Sequence, residues 1–488
     1  MKQPKALYLL FFVELWERFS FYGMRGILIY FMLHGLHLTE EQSYDIKGAY
    51  GILVYISPLF GGFLADKLLG TKKSIMIGAF VMMLGHLTML IDNVQTFFSG
   101  LALVALGNGF FKPNISSSVG QLYSSNDPRK DTAFTIFYMG VNIGAFLQFL
   151  CPLVSKEYNN YHIGFSLAGF GMALGLIIFM FLKDKLLVNI GDSPNEALLN
   201  KRYFGISVYQ IIWISTILLI PVYMYLLQHK FVLDVILYSV GVLFFIYLFY
   251  QAYKRNSLER NRIYAYVVLF FYSMMFWAFF EQGDTSLGLY IEKNLDRHIL
   301  GYEVPPGVFQ SVNPGYIIVF AMLVSSIWSF LAERKKDLNI PLKLGLGVIL
   351  NGIGFLVFYL SKDAANAQGL VPLYFFLGAY ILITLGELFL SPIGLSMVTK
   401  IAPPDMTSLM MGGWMLSIAF AHSLSAEIAK LTTKKGGEAM VGLEALNSYC
   451  GVYYKIGVIA ILAGLVLVVF SKILAKMMAL KDSSAPSH

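Results

Sequence analysis

The chain reads as an all-α polytopic membrane protein with about fourteen spanning helices, two six-helix bundles plus an extra two-helix hairpin. Three observations predict this. Of 488 residues, 57% are hydrophobic and 13% charged, with a mean hydropathy of +0.65; soluble domains run nearer about 45–50% apolar and about 25% charged. Apolar runs of roughly twenty residues, enough to cross a bilayer, recur from end to end. Lys and Arg gather in alternate loops, the pattern that orients a multi-pass protein.

Hydropathy places the spans at roughly 8–35, 43–66, 72–91, 96–123, 131–154, 162–182, 206–227, 232–253, 262–291, 307–331, 342–361, 370–400, 406–431 and 450–478. Several exceed what crossing needs, so they tilt or run past the bilayer. Residues 1–13 have a basic start and an apolar run, as a signal peptide has. Glu14, Glu17 and Arg18 interrupt that run and no small-residue cleavage site follows, so the segment is expected to open the first span. The basic loops carry Lys67/Lys72/Lys73, Arg129/Lys130, Lys183/Lys185/Lys201/Arg202, Lys254/Arg255/Arg260/Arg262 and Arg334/Lys335/Lys336. Loops such as 157–162 are poorer, so the basic set and both termini are expected on the cytoplasmic side. Topology setting accounts for the net charge of +7 without a nucleic-acid partner. Cys151 and Cys450 define no disulfide framework and no metal motif, and read as packing residues.

A repeat supports two bundles. Leu106-Gly107 and Leu385-Gly386 are each followed by a proline six residues after the glycine, Pro113 and Pro392. This puts Lys112 and Glu387 on the fourth helix of each half. The expected division is an N-terminal bundle over 1–183, a linker with the extra hairpin over 184–260, and a C-terminal bundle over 261–488.

The most informative stretch lies in the first span. At about 100° per residue, Glu14, Glu17, Arg18, Phe21, Tyr22 and Arg25 fall in one stripe within roughly 140° of arc. A charge at the bilayer centre costs on the order of 3 kcal/mol on insertion scales. Four on one stripe are tolerable only if they pair or line a wet cavity, which is the pattern of a transport pathway. Lys112, Glu281 and Glu387 are further lone charges within apolar spans. Against Arg18, Arg25 and Lys112 stand Glu14, Glu17, Glu281 and Glu387, one acid in surplus. Near-neutrality favours pairing across helices, and the surplus acid can take up a proton because burial disfavours its charged form. Static pairs seldom gain stability over apolar packing, which argues against a purely structural role.

Tyr22, Tyr55, Trp277 and Trp414 accompany these charges. Rings with a polar tip, between a cation and an anion, suit a zwitterion of variable side chain; an interface belt or helix packing is the ordinary use of such residues in membranes. For Asn142 and Asn313, interhelical bonding and ligand contact stay equally open. Asp66, in Gly61-Gly62-Phe63-Leu64-Ala65-Asp66, sits at a helix junction and is read as conformational control. His86 and His422 read as packed or interfacial residues. No HExxH, P-loop or GxSxG in a credible context appears, and no soluble domain is left for nucleotide hydrolysis. The driving energy is therefore expected from an ion gradient, with protons as the coupling ion and neither cofactor nor metal. A membrane hydrolase lacks its nucleophile–base pair.

These residues together resemble the proton-dependent oligopeptide transporter (POT/PTR) family of the major facilitator superfamily, bacterial type. The resemblance rests on Glu14-x-x-Glu17-Arg18-Phe19, the Gly61 to Gly70 element, Phe134 to Phe146, Lys112-Pro113-Asn114, Trp277 with Glu281-Gln282, Asn313-Pro314, Gly386-Glu387 with Ser391-Pro392, and Gly413-Trp414. It implies a major facilitator fold, no enzyme activity, and proton-coupled import of di- and tripeptides across the inner membrane by a monomer. It assigns the peptide carboxylate to Arg25 and Lys112, and the amine to Glu387 with Asn142 and Asn313. Tyr22, Tyr55, Trp277 and Trp414 line side-chain pockets. Glu14, Glu17, Arg18, Lys112 and Glu281 couple protons, and Arg25–Glu281 and Lys112–Glu387 are gate pairs. Phe21, Phe280 and His422 depart from the family pattern. The alternative is the same fold carrying another small anion or a peptide-like drug.

Overall fold

The computed structural model describes residues 2–124, 127–334, 338–390, 394–434 and 440–479. Ser391 and Pro392, the second half of one quoted motif, lie outside the described residues. The helices are α1 (Lys5–Tyr30), α2 (Glu40–Leu64), α3 (Gly70–Thr88), α4 (Val94–Gln121), α5 (Lys130–Leu147), α6 (Leu150–Glu157), α7 (Tyr161–Leu186), α8 (Glu196–Asn200) and α9 (Val208–Gln228). They continue as α10 (Lys230–Lys254), α11 (Ser257–Phe280), α12 (Ser286–Asn294), α13 (Val312–Glu333), α14 (Ile340–Leu360), α15 (Leu373–Leu390), α16 (Gly394–Ile401), α17 (Thr407–Lys430) and α18 (Gly442–Met478). The described strands form two small antiparallel hairpins, β1 (Arg202–Tyr203) with β2 (Ile206–Ser207) and β3 (His298–Ile299) with β4 (Tyr302–Glu303).

Among the described residues, twelve helical stretches are long and apolar enough to cross a membrane. The chain is thus an all-α, multi-pass membrane protein, and the expected count of fourteen needs only two local explanations. One stretch, Glu40–Thr88, contains both α2 and α3, joined through the π-helical turn Ala65–Leu69. The other helix is α1, whose Glu14, Glu17, Arg18 and Arg25 lower its apolar score although it is 26 residues long.

Helix starts follow local chemistry. Thr39 and Ser207 make reciprocal capping boxes with Gln42 and Gln210, and Asn93, Asn160, Asn256 and Asn339 accept from backbone amides of their first turns. Spans read as continuous are in places broken. The fifth is divided at Gln148 and Phe149 into α5 and α6, and the ninth ends at Phe280, turns through a 3-10 segment, Glu281–Asp284, and resumes as α12.

Contacts group the chain into two compact units, Met1–Lys230 with Val304–Gly315, and Phe231–Glu303 with Tyr316–His488. The extra hairpin is divided between them. In the first unit α9 packs on α2, where Tyr223 Oη lies 2.8 Å from Ser57 Oγ. In the second, α10 packs on α17, where the Tyr238 ring stacks on Phe420 at 5.7 Å.

Without water in the bilayer, helices associate through close packing, and small residues make that possible. In the first unit α2 crosses α4 at Gly61 and Gly109: a Cβ on Gly61 would overlap the Gly109 carbonyl, and one on Gly109 would lie 2.6 Å from Ser57 Cβ. In the second, α14 crosses α15 at Gly347 and Gly386, one residue before Glu387. Gly61→Ala is expected to cost about 1–3 kcal/mol of stability through overpacking. The measurement is the Tm of the detergent-solubilised protein. Gly62→Ala is the mild comparison, since its Cβ would meet only the Pro113 ring, at 3.7 Å.

Candidate functional site

In the first unit the α1 stripe divides into a buried and an accessible part. Glu14, Glu17 and Arg18 are 4%, 0% and 2% exposed. Arg18 donates from Nη2 to Glu17 Oε1 at 2.7 Å and from Nε to Glu17 Oε2, while Arg18 Nε lies 3.3 Å from Glu14 Oε1. One guanidinium thus serves two carboxylates, and Glu14 Oε2 has no hydrogen-bond partner among the described residues. An ion cluster this dry is costly unless fully bonded.

One turn further along, Tyr22 and Arg25 are half-buried. Their spacing lets the cations share rings. Arg18 lies 5.0 Å from the Phe21 ring centroid and Arg25 5.7 Å from it, and Tyr22 receives both at 5.9 Å. Phe21 also stacks on Tyr50 of α2, at 6.3 Å. The departure at Phe21 therefore keeps an aromatic face between two guanidiniums and gives up a hydroxyl.

Lys112 faces the same region. Its Nζ lies 4.8 Å from the Tyr55 ring centroid, and it is within electrostatic reach of Glu14, Glu17, Arg18 and Arg25. Lys112 and Tyr55 are half-buried. The helices position them by close approach: the Gly61–Gly109 crossing sets α2 against α4, and Gly140 and Gly144 bring α5 against α1, where a Cβ on Gly144 would lie 3.0 Å from Arg18 Cβ. Asn142, two residues from each of those glycines, turns to another side of α5, and its Nδ2 donates to the Tyr138 carbonyl at 2.9 Å. Asn313 is half-buried near the start of α13, in the segment Val304–Gly315 that belongs to this unit. That segment is tied down by Gln148, whose Nε2 donates to Gly307 O at 3.2 Å and Ser311 Oγ at 2.7 Å.

Asp66 is exposed in the π-helical turn before α3. The junction closes at Gly70, whose φ of +72° suits glycine, and it is clamped by Lys72–Asp192 at 2.9 Å and Lys73–Glu196 at 2.7 Å. The lysines read as orientation signals thus also hold the loop before α8 against α3.

In the second unit Trp277 is half-buried on α11, at the edge of Phe276 and Phe280. Glu281, read as one acid within a continuous apolar span, instead caps the end of α11 and begins the 3-10 turn. Its Oε2 lies 3.7 Å from His422 Nδ1 on α17. Glu387 is buried on α15 beside the Gly347–Gly386 crossing. Trp414, buried on α17, lies 6.1 Å from the Tyr266 ring, and its indole Nε1 would stand 2.6 Å from a Cβ on Gly394.

Sequence reasoning passed over several polar residues here. Tyr50 Oη and both amide atoms of Asn108, one turn before Lys112, are buried without a hydrogen-bond partner among the described residues. Asn108 directly follows Gly107 in the repeat that runs from Leu106 to Pro113 and carries Lys112, so its position was visible and its bareness was not. His86 is as expected for a packed histidine, buried with Nε2 at 2.7 Å from Ser20 Oγ.

Comparison with known proteins completes the picture. Residues 72–445 match PTR2, the POT family. The chain belongs to the POT family. It is 33% identical over 468 residues to dipeptide and tripeptide permease B of Xenorhabdus bovienii, covering 95% of this chain and 94% of that one. It is 35% identical over 484 residues to the uncharacterized transporter YclF of Bacillus subtilis, covering 97% and 95%. Among solved structures, the peptide transporter POT in complex with sulfate is similar with a TM-score of 0.81 at 33% identity, covering 98% and 96%. A POT family transporter in complex with 5-aminolevulinic acid is similar with a TM-score of 0.82 at 31% identity, covering 97% of each chain. This POT-family chain is therefore a multi-pass membrane transporter of the peptide-transporter class.

Proposed function

We propose that this protein is a proton-coupled symporter that imports di- and tripeptides across a bacterial inner membrane by alternating access, with both termini cytoplasmic. The observation that carries the reading is the Glu14–Arg18–Glu17 triad, dry and bonded, followed on the same helix by the half-buried Tyr22 and Arg25.

Electroneutrality connects the two parts. Arg18, Arg25 and Lys112 are outnumbered by Glu14, Glu17, Glu281 and Glu387, leaving one negative charge over. A zwitterionic peptide adds none, so one proton per peptide neutralises these seven charges. In the first unit the three cations exceed the two acids by one, the balance that a peptide carboxylate at Arg25 and Lys112 restores. In the second unit Glu387 is the matching acceptor for the ammonium. Asn142 and Asn313 join it: Asn142 spends Nδ2 on its own helix and keeps Oδ1 for an ammonium. Tyr22, Tyr55, Trp277 and Trp414 accept side chains of variable size. Protonation at Glu14, Glu17 or Glu281 releases the charge that holds one state, and the gate pairs Arg25–Glu281 and Lys112–Glu387 open in turn while Asp66 biases the cytoplasmic junction. The protein acts as a monomer in the lipid bilayer.

The experiment is uptake of labelled dialanine into proteoliposomes with the external medium more acidic than the interior. Accumulation above the external concentration, abolished by a protonophore, is the expected result. Unlabelled di- and tripeptides are expected to compete, whereas free amino acids and nitrate are not. Competition by nitrate alone would replace peptide with a small anion as the cargo.

A further inference from the structure

His422 lies against an acid that the proton-coupled reading uses, in a place built to hold it. His422 and Glu281 are 6% and 7% exposed, and the imidazole Nδ1 stands 3.7 Å from Glu281 Oε2. Two sets of bonds fix α17 on either side of the imidazole. Gln282, next to Glu281 in the 3-10 turn, donates from Nε2 to Ser425 O at 3.0 Å and to Ser425 Oγ at 3.1 Å. Ser423 donates from Oγ to Asp234 Oδ1 on α10 at 2.6 Å and meets Tyr238 Oη at 2.9 Å. The turn and the hairpin helix α10 therefore hold Ser423 and Ser425, which anchor α17 immediately after His422.

We propose that Glu281 and His422 form one shared protonation unit, separate from the Glu14–Glu17–Arg18 triad. In its protonated form an imidazolium pairs with the carboxylate. When that proton leaves, the pair becomes a neutral imidazole beside a carboxylate, and the imidazole nitrogen that lost it is open to the next proton. Imidazole is the side chain whose ordinary titration falls between about pH 5 and 8, so the unit answers to pH where a bacterial proton gradient operates. Other titratable groups on the surrounding elements are Asp284 in the 3-10 turn, Tyr380 on α15, Asp234 and Tyr238 on α10, and Glu427 and Lys430 on α17 itself. Glu427 and Lys430 neutralise each other at 2.8 Å. Asp234 takes a hydrogen bond from Ser423, and Tyr380 adds no charge at neutral pH. Glu281 stands at the imidazole itself, at 3.7 Å.

The functional consequence rests on proton-driven transport; the pairing does not. It is tested on the full chain in nanodiscs carrying 15N-labelled histidine, with the His422 signal assigned by its loss in His422→Asn. In Glu281→Gln the His422 titration midpoint is expected about one pH unit or more below that of the unaltered protein, because the attraction for the imidazolium is gone. An unchanged midpoint, or a His422 that does not titrate between about pH 4 and 10, overturns the pair. In transport, His422→Asn and His422→Gln are both expected to flatten the pH profile of proton-driven uptake between about pH 6 and 7.5. A profile identical to that of the unaltered protein in a folded variant overturns the role in coupling. A chain that shows the midpoint shift but carries no proton-driven flux refutes symport and leaves the pair standing.

Discussion

Glu17→Gln is expected to abolish concentrative, proton-driven peptide uptake while leaving exchange of peptide between equal pools. Glu17 is fully buried and both its oxygens are held by Arg18. The amide keeps the shape and one acceptor but cannot gain or lose a proton. Arg18 is not stranded by the change, because Glu14 Oε1 already lies at 3.3 Å and its Oε2 is bare. That second carboxylate offsets much of the penalty, about 3–5 kcal/mol, of removing one partner from a buried pair. The variant should therefore fold, and its Tm checks this. Concentrative uptake is expected to fall about 100-fold or more, the factor that ~2.7 kcal/mol of lost coupling represents. Exchange is expected near the level of the unaltered protein, because no net proton moves. Full concentrative uptake by Glu17→Gln in proteoliposomes would sink the assignment of this triad to coupling.

Lys112→Ala is expected to raise the KM for dipeptides by about 10–150-fold, the equivalent of ~1.5–3 kcal/mol for one charge-assisted hydrogen bond to the peptide carboxylate. Proton movement coupled to peptide is expected to vanish with it, so no acidification of the vesicle interior accompanies uptake. Lys112 is half-buried over the Tyr55 ring and is not among the atoms at the α2–α4 crossing of Gly61 and Gly109, so truncation is expected to leave that crossing in place. Lys112→Arg tests geometry: it keeps the charge over Tyr55 but replaces a compact ammonium with a planar fork. Uptake kinetics unchanged in Lys112→Ala count against any role in binding.

The parts of the site legible in the sequence were those with a penalty attached to them. Charges within apolar spans have few physical explanations, so Glu14, Glu17, Arg18, Arg25, Lys112, Glu281 and Glu387 stood out one by one. Helical periodicity then put the α1 group on one stripe, because neighbours three and four apart share a face. The structure divides that stripe into a dry triad and an accessible pair. Periodicity could not do so, since it assigns a face and not a depth. Glu281 was less well read. Hydropathy averages over a window, so it carried the ninth span through Glu281 without showing that α11 ends there and a 3-10 turn begins.

His422 shows the same boundary from the other side. A lone histidine in an apolar helix is ordinarily a packed residue, and His86 with its Ser20 partner is one. Nothing within several residues of His422 marks it as different. Its partner lies about 140 positions earlier in the chain, and the bonds that hold it there come from Gln282 on one element and Asp234 on another. The orphaned amide of Asn108 is a similar case, visible as a residue and invisible as a bare buried group.

By itself, then, the sequence determined the class of the protein, the number and order of its crossings to within local breaks, and the set of charges that a membrane would not tolerate without a purpose. These depend on composition, on spacing along one helix and on the cost of burying charge, all of which are local. Only the tertiary structure decided which charges are dry, where the ninth span breaks, how the hairpin is shared between the units, and that His422 stands beside Glu281. Those depend on helices meeting through glycine seams far apart in sequence, and close packing between distant segments leaves no periodic trace along the chain.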